Sequence, residues 1–225
     1  MIKSVSFLRL IFFVVILSSC SSVKVLDSWR GPDENIEKFK EKNILVIART
    51  SNTSARIAFE EAIAEALESG GLKVTQSFTK FPKMHNNVEM TPEREEMVRS
   101  ILNSEGYNGI VITSVRDKEQ TTRTETTGIY MGASYGYPGY YRGFYNYYRY
   151  PYAYGPYYNS FGGYVPTGTS TSTYTTYVLE TLAFNLDEPE ENQMVFVTTT
   201  SIDDPKDAYK TAGKYVEKIT DALNK

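Results

Sequence analysis

Few residues in this chain could do metal or nucleophile chemistry. Its 225 residues include one histidine, His85, and one cysteine, Cys20. A zinc site of the usual kinds needs several His or Cys ligands, so the sequence cannot assemble one. It also contains neither a GxxxxGK[ST] phosphate-binding motif nor a GxGxxG dinucleotide-binding motif. We therefore predict no metal site and no cofactor site.

Carboxylates are the remaining candidates for catalysis. Adjacent pairs occur at Glu60-Glu61, Glu95-Glu96 and Asp203-Asp204, but such pairs on helices are usually solvated faces or caps. A Ser-His-Asp arrangement would have to use His85, whose surroundings show no nucleophile-elbow sequence. We expect no catalytic residue and no enzymatic activity. A hydrolase that works with two carboxylates is the remote alternative.

Cys20 directly follows a segment with the three parts of a secretory signal. Lys3 and Arg9 form the positive start, residues 10–17 are an unbroken apolar run, and two serines precede the cysteine. The apolar run is shorter than the roughly 20 residues that a membrane-spanning helix needs. Residues 1–19 are therefore predicted to be a signal peptide.

The tetrad Leu17-Ser18-Ser19-Cys20 resembles the bacterial lipobox. The resemblance implies a diacylglycerol thioether on the Cys20 sulfur, cleavage before Cys20, and a further acyl chain such as palmitate on the new amine. A thioether consumes the thiol, which suits a lone cysteine in an oxidising compartment. Two or more acyl chains hold a protein stably on a membrane. We expect a membrane-anchored lipoprotein with a lipidated N-terminus and tether over 20–42.

The net charge of the mature chain and the residue after Cys20 indicate which partners and which membrane to expect. Loss of the signal peptide removes two of 24 cations, which leaves 22 against 27 acids and a net charge of −5. Nucleic-acid binding needs clustered cations, so we expect no nucleic-acid partner.

In the enterobacterial sorting scheme that the lipobox resemblance invites, an aspartate at the position of Ser21 would hold the protein at the inner membrane. We expect the outer membrane, with the body facing the periplasm.

The body is predicted to be a single α/β (α+β mixed) domain over 43–225. Residues 43–49 and 109–115 are predicted to be buried strands, and 72–78 is predicted to be a strand between them. In chain order, a helical pattern over 55–69 separates the first two, and a second helix that starts at Thr91-Pro92 precedes the third. This βαβαβ order favours one mixed sheet with helices packed on it. Ile44, Val46, Ile110 and Ile112 should be buried in adjacent strands.

The C-terminal part predicts a β-hairpin followed by a helix. Residues 173–186 and 193–201 are rich in β-branched and aromatic residues and flank a polar turn. Asp204 is predicted to cap the last helix, with Pro205 at its first position.

A Tyr/Gly-rich insertion, residues 128–168, interrupts this pattern. It holds 14 of the 19 tyrosines and 9 of the 15 glycines, with two charges, Arg142 and Arg149. Frequent glycine and proline prevent long regular elements. Three interpretations stay open: a loosely packed excursion, a contact surface for an envelope protein or for self-association, and a surface that stacks on peptidoglycan or another envelope glycan. Tyrosine suits contact surfaces because it offers large rigid area and a hydroxyl. The candidate contact residues are Tyr140, Tyr141, Tyr145, Tyr147, Tyr148, Tyr150, Tyr152, Arg142 and Arg149.

The mature chain as a whole resembles bacterial lipoproteins of the domain of unknown function 4136 family. The matching features are the lipobox, Ser28-Trp29, "ARIAFEEAIAEALESGGLKV", "EGYNGIVIT", the Tyr/Gly-rich insertion, "YVLETLAFNL" and "VFVTTTSIDDP". Phe196 stands where the family usually has tryptophan. The resemblance implies the same order of elements and an envelope location, and it brings no reaction. We therefore expect a non-enzymatic accessory or interaction protein that uses the insertion as contact surface, with a glycan-binding module as the alternative.

Overall fold

The computed structural model describes residues 23–81, 91–122, 127–131, 143–149, 163–168 and 173–223. Cys20 and His85 lie outside the described residues, as does the predicted signal peptide. The elements are, in chain order, β1 (Val23–Arg30), α1 (Asp33–Lys40), β2 (Asn43–Arg49), α2 (Thr53–Ser69), β3 (Lys73–Gln76), α3 (Ser77–Lys80), α4 (Pro92–Ser104), β4 (Gly109–Thr122), β5 (Thr127–Met131), α5 (Phe144–Arg149), β6 (Gly163–Gly168), β7 (Thr173–Asn185), β8 (Met194–Asp203) and α6 (Ala208–Leu223).

The described strands form one six-stranded mixed sheet and one two-stranded ribbon. The large sheet has the order β1-β8-β7-β4-β2-β3, and β5 pairs with β6. β2 is parallel to both β3 and β4, whereas β7 and β8 add to the sheet as antiparallel strands. The predicted fold class is confirmed: a βαβαβ portion continues into an antiparallel hairpin and a C-terminal helix.

The centre of the sheet is buried on both faces because its strands are continuous apolar runs. Ile44 and Val46 in β2 are fully buried, and so are Ile110 and Ile112 in β4, which confirms their predicted place in adjacent strands. On one face, which we call the α4 face, Ile112 packs near Leu102 of α4. On the other, the α2–α6 face, Phe59 of α2 packs against Tyr215 of α6 with ring centroids 5.1 Å apart.

Helix α2 begins and ends where the sequence predicts, to within two residues. The Asn52 side chain accepts a hydrogen bond from the Ala55 backbone N–H at 3.1 Å, and Gly70 caps the other end. Gly71 follows with φ +83°, a left-handed conformation that glycine adopts without a Cβ penalty.

Strand β1 was not predicted, because its sequence lacks an alternating apolar pattern. The tether expected over 20–42 is instead part of the sheet from Val23 onward, where β1 pairs with β8. An edge strand is covered on one side only, and most of β1 is exposed or half-buried. The segment that follows also has structure, since Phe39 of α1 is buried against the α2–α6 face.

Two predicted boundaries are wrong because of contacts between residues that are distant in sequence. The strand expected to reach Phe78 ends at Gln76, because the Ser77 hydroxyl and the Phe78 N–H both donate to the Glu60 carboxylate and turn the chain. Helix α6 begins at Ala208, where Asp207 is the side-chain cap. The Asp204 N–H donates to the Thr175 carbonyl at 2.8 Å instead, which extends strand pairing and excludes Asp204 from the cap.

Candidate functional site

The insertion leaves the sheet on a two-stranded arm. β4 and β7 stay paired as far as Thr122 and Thr173, whereas β2 last pairs with β4 at Ser114. β8 last pairs with β7 at Thr176. The β4–β7 arm therefore projects past its neighbours at one end of the sheet. The ribbon of β5 and β6 follows, with Ile129 opposite Val165 and Tyr130 opposite Tyr164.

The chain enters the sheet at this same end. Val23, the first residue of β1, lies opposite Ile202 of β8. Ile202 lies opposite Tyr177 of β7, and Tyr177 opposite Lys118 of β4. These four residues form one row across four neighbouring strands. We call this the anchor end, because Cys20, the predicted acylation site, is only three residues before Val23 in the sequence.

The middle of the insertion returns to the body and packs into its core. Phe144, the first residue of α5, is fully buried. It packs on the α4 face, where its ring centroid is 6.1 Å from that of Phe184. Its backbone N–H donates to the Gln193 side chain at 3.2 Å. The insertion is therefore not wholly an appendage, because Phe144 is part of the hydrophobic core.

Two arginines outside the insertion lie over tyrosines of α5. The Arg99 guanidinium is 3.9 Å from the Tyr145 ring centroid, and the Arg49 guanidinium is 5.0 Å from that of Tyr148. Arg49 also donates to the Tyr148 carbonyl at 3.4 Å. Such cation–π contacts contribute about 0.5–2 kcal/mol each, depending on desolvation. Burial raises the pKa of the Tyr145 hydroxyl, although the nearby Arg99 charge opposes that shift.

The structure places two of the predicted contact residues, Tyr145 and Tyr148, against the body. Tyr145 is buried and Tyr148 is half-buried, so both rings pack against the body. Tyr147 and Arg149 lie in the same helix. The remaining candidates, Tyr140, Tyr141, Arg142, Tyr150 and Tyr152, lie outside the described residues. Their role as a contact surface stays a prediction.

One carboxylate of the predicted adjacent pairs is fully buried, and it is saturated with hydrogen bonds. Glu60 accepts from the Arg56 guanidinium at 3.0 Å, from the Ser77 hydroxyl at 2.7 Å and from the Ala48 N–H at 3.0 Å. This network ties α2 to β2 and α3. A buried pair needs such partners to offset its desolvation cost, so the arrangement is a structural ion pair. The prediction that Glu60 belongs to a solvated helix face is wrong.

A second buried ion pair lies on the α4 face near the base of the arm. The Arg116 Nε is 3.4 Å from the Glu180 Oε2, and Glu180 is fully buried. Arg116 occupies an irregularity in the β4–β7 pairing between Val115 and Asp117. The bulge places a long cationic side chain over the sheet, as β-bulges do when they re-aim a residue.

A cleft of about 530 Å³ opens at the anchor end, between the starts of α2 and α6. Its apolar lining includes Phe59, Leu179 and Ile202, and its two lysines are Lys118 and Lys206. The described residues that line it include no carboxylate, histidine or cysteine. Its lining therefore offers apolar area and hydrogen-bond donors.

The described part of the chain shows neither a metal cluster nor a membrane-spanning helix. No group of three or more His, Cys, Asp or Glu side chains there is placed to hold a metal ion. No helix in those ranges is long and apolar enough to cross a membrane.

No protein-family model matches the sequence, and no curated protein does. Among solved structures, the chain is similar to PelC from Paraburkholderia phytofirmans, a dodecamer, at 11% identity and TM-score 0.41, over 89% of this chain and 96% of PelC. It is also similar to a DUF4136 family protein from Bacteroides thetaiotaomicron, at 13% identity and TM-score 0.38, over 90% of this chain and 97% of that protein. The family that the sequence resembles is thus represented among its structural matches. The residues of this chain alone carry the functional proposal.

Proposed function

We propose that this protein is a lipid-anchored envelope protein of the outer membrane that faces the periplasm and acts through contacts rather than catalysis. The anchor is the acylated Cys20. The contact surface is the part of the Tyr-rich insertion around α5, where Tyr140, Tyr141, Tyr150 and Tyr152 flank the docked helix in sequence.

The single observation that carries the proposal is the attachment of the insertion to the body. Phe144 fixes the centre of the insertion in the core, and Arg99 and Arg49 hold the two tyrosines that follow it. A segment anchored in this way loses less conformational entropy on binding than a fully flexible loop would. The tyrosines on either side of α5 in sequence are therefore directly linked to a segment that the body holds.

Site-specific photo-crosslinking in cells tests the contact surface. A benzoyl-phenylalanine at Tyr141 should give a defined adduct, and the same probe at Tyr209 is the matched control. Tyr209 is 58% exposed on α6, outside the insertion. A variant with serine at Tyr140, Tyr150 and Tyr152 should weaken the Tyr141 adduct while leaving the Tyr209 background unchanged.

The identity of the adduct decides between the interpretations of the surface. Mass spectrometry of a second protein, or of a second copy of this chain, supports the interaction role. An adduct that co-sediments with purified peptidoglycan would instead favour the glycan-binding alternative. Identical adducts from Tyr141 and Tyr209 would contradict a specific contact surface in the insertion.

A further inference from the structure

The lipid anchor and the stem of the insertion belong to the same end of the sheet. Three residue steps separate Cys20 from Val23, and an extended chain spans at most about 3.3–3.6 Å per residue. An acylated Cys20 therefore keeps Val23 within about 10 Å of the lipid attachment point. When the strands point toward the bilayer, the row of Val23, Ile202, Tyr177 and Lys118 lies at about that height above it.

The β4–β7 arm extends farther than this tether allows the body to withdraw. Past Lys118, strand β4 continues for four residues to Thr122, and a strand rises about 3.3 Å per residue, so the arm adds roughly 13 Å. The end of the arm thus reaches the membrane surface when the strands point toward the bilayer, and the ribbon is joined to that end by four residues on each strand, 123–126 and 169–172.

The ribbon has the composition of a segment that rests at such a surface. β5 reads TGIYM and β6 reads GYVPTG, so neither strand carries a charge. Register pairs Ile129 with Val165 and Tyr130 with Tyr164. Tyrosine is enriched where a membrane meets water, because its ring and hydroxyl suit the headgroup layer.

A two-stranded ribbon is marginally stable alone in water, and among the described strands this one pairs only within itself. Neither outer edge of the ribbon pairs with another described strand, and hydrocarbon cannot satisfy the N–H and C=O groups of an unpaired edge. These two constraints select the headgroup layer, which offers both apolar contact and hydrogen-bond partners, over bulk water and over the bilayer core.

We propose that the β5–β6 ribbon lies in the headgroup layer of the bilayer and is a second membrane contact beside the lipid anchor. This inference rests on the proposed acylation of Cys20. The contact fixes the orientation of the body, with the anchor end toward the lipid and the opposite end toward the periplasm.

Depth-resolved fluorescence quenching tests the ribbon. Acylation consumes Cys20, so one introduced cysteine gives a single labelling site. Full-length lipidated protein with Tyr130→Cys carries an environment-sensitive fluorophore and is reconstituted into phosphatidylethanolamine–phosphatidylglycerol vesicles. Glu191→Cys is the matched control, because Glu191 is exposed in the turn between β7 and β8 at the opposite end of the sheet.

Lipids brominated near the headgroup should quench the Tyr130→Cys label at least twofold more than lipids brominated deep in the chain, and neither should quench the Glu191→Cys label. Since the ribbon is uncharged, quenching should persist at about 1 M salt, where the Debye length is about 3 Å. Vesicle flotation of the same samples reports the anchor separately. Protein that floats without quenching at Tyr130→Cys would overturn the ribbon contact and leave the anchor intact, whereas protein that fails to float would overturn both.

Discussion

Arg99 of α4 lies over the ring of Tyr145 in α5, with 3.9 Å between the guanidinium carbon and the ring centroid. The arginine belongs to the βαβαβ body and the tyrosine to the insertion. The contact therefore joins the body to the insertion, which differ sharply in amino-acid composition. Its free energy contributes to holding the insertion against the body.

A double-mutant cycle measures this contact. Arg99→Met keeps much of the side-chain length and removes the charge, and Tyr145→Leu removes the ring. The free energies of unfolding from denaturant titration should show a coupling of about 0.5–2 kcal/mol. Arg99 also pairs with Glu95 at 3.4 Å, and the cycle cancels that contribution. Additivity to within about 0.3 kcal/mol would show that the two side chains do not interact.

Phe144→Ala tests whether the insertion contributes to the core. Phe144 is fully buried, and truncation of a buried phenylalanine costs about 3–5 kcal/mol. Tyr209→Ala, at an exposed position, should change the free energy of unfolding by no more than about 0.5 kcal/mol. If both substitutions had equally small effects, Phe144 would not contribute to the core, and the insertion would be a loosely packed excursion.

Tyr215 predicts a specific loss of stability at high pH. Burial raises the pKa of its hydroxyl to about 12, against hydrogen bonds from threonines such as Thr181 that lower it. In the unfolded chain the pKa is about 10. Below pH about 10 the hydroxyl is neutral in both states and its contribution is fully present; between about 10 and 12 the unfolded state loses the proton first, so stability falls.

The comparison with Tyr215→Phe isolates this group from the other tyrosines. Unfolding free energies measured between about pH 9 and 11 should fall more steeply in the parent than in Tyr215→Phe, by roughly 1.4 kcal/mol per pH unit in the upper part of that range. If the free energy of unfolding fell with the same slope in the parent and in Tyr215→Phe, the Tyr215 hydroxyl would have the same pKa in the folded and unfolded states. Phe lacks the bond to Thr181 at 2.5 Å, which shifts the whole curve without changing its slope.

The elements that sequence analysis located are those whose burial leaves a pattern. Strands β2 and β4 were predicted because both of their faces are buried, which gives continuous apolar runs. Helix α2 was predicted because its one buried stripe gives an apolar period of 3.6 residues. Strand β1 has a weak pattern because one of its sides has no strand beside it among the described residues. The start of α6 was missed because the Asp204 backbone pairs with Thr175 across the sheet, a contact that no local sequence window contains.

Helix α5 had a signal that composition concealed. The segment from Phe144 to Tyr150 is the longest stretch of the insertion without glycine or proline, and Gly143 and Pro151 bound it. Its Phe144 and Tyr148 are four residues apart, which places them on one helix face. The abundance of tyrosine elsewhere in the insertion obscures this spacing, and the partners Arg99 and Arg49 are too distant in sequence to be inferred.

The lipid anchor at Cys20 is the central claim, and metabolic labelling with an alkyne fatty acid tests it most directly. The wild-type chain should incorporate the label and fractionate with the outer membrane. Cys20→Ala should lose the label and move to the soluble or unprocessed fraction, while the neighbouring control Ser21→Ala should keep the label. Unchanged labelling and unchanged fractionation of Cys20→Ala would contradict the anchor and, with it, the orientation proposed for the anchor end.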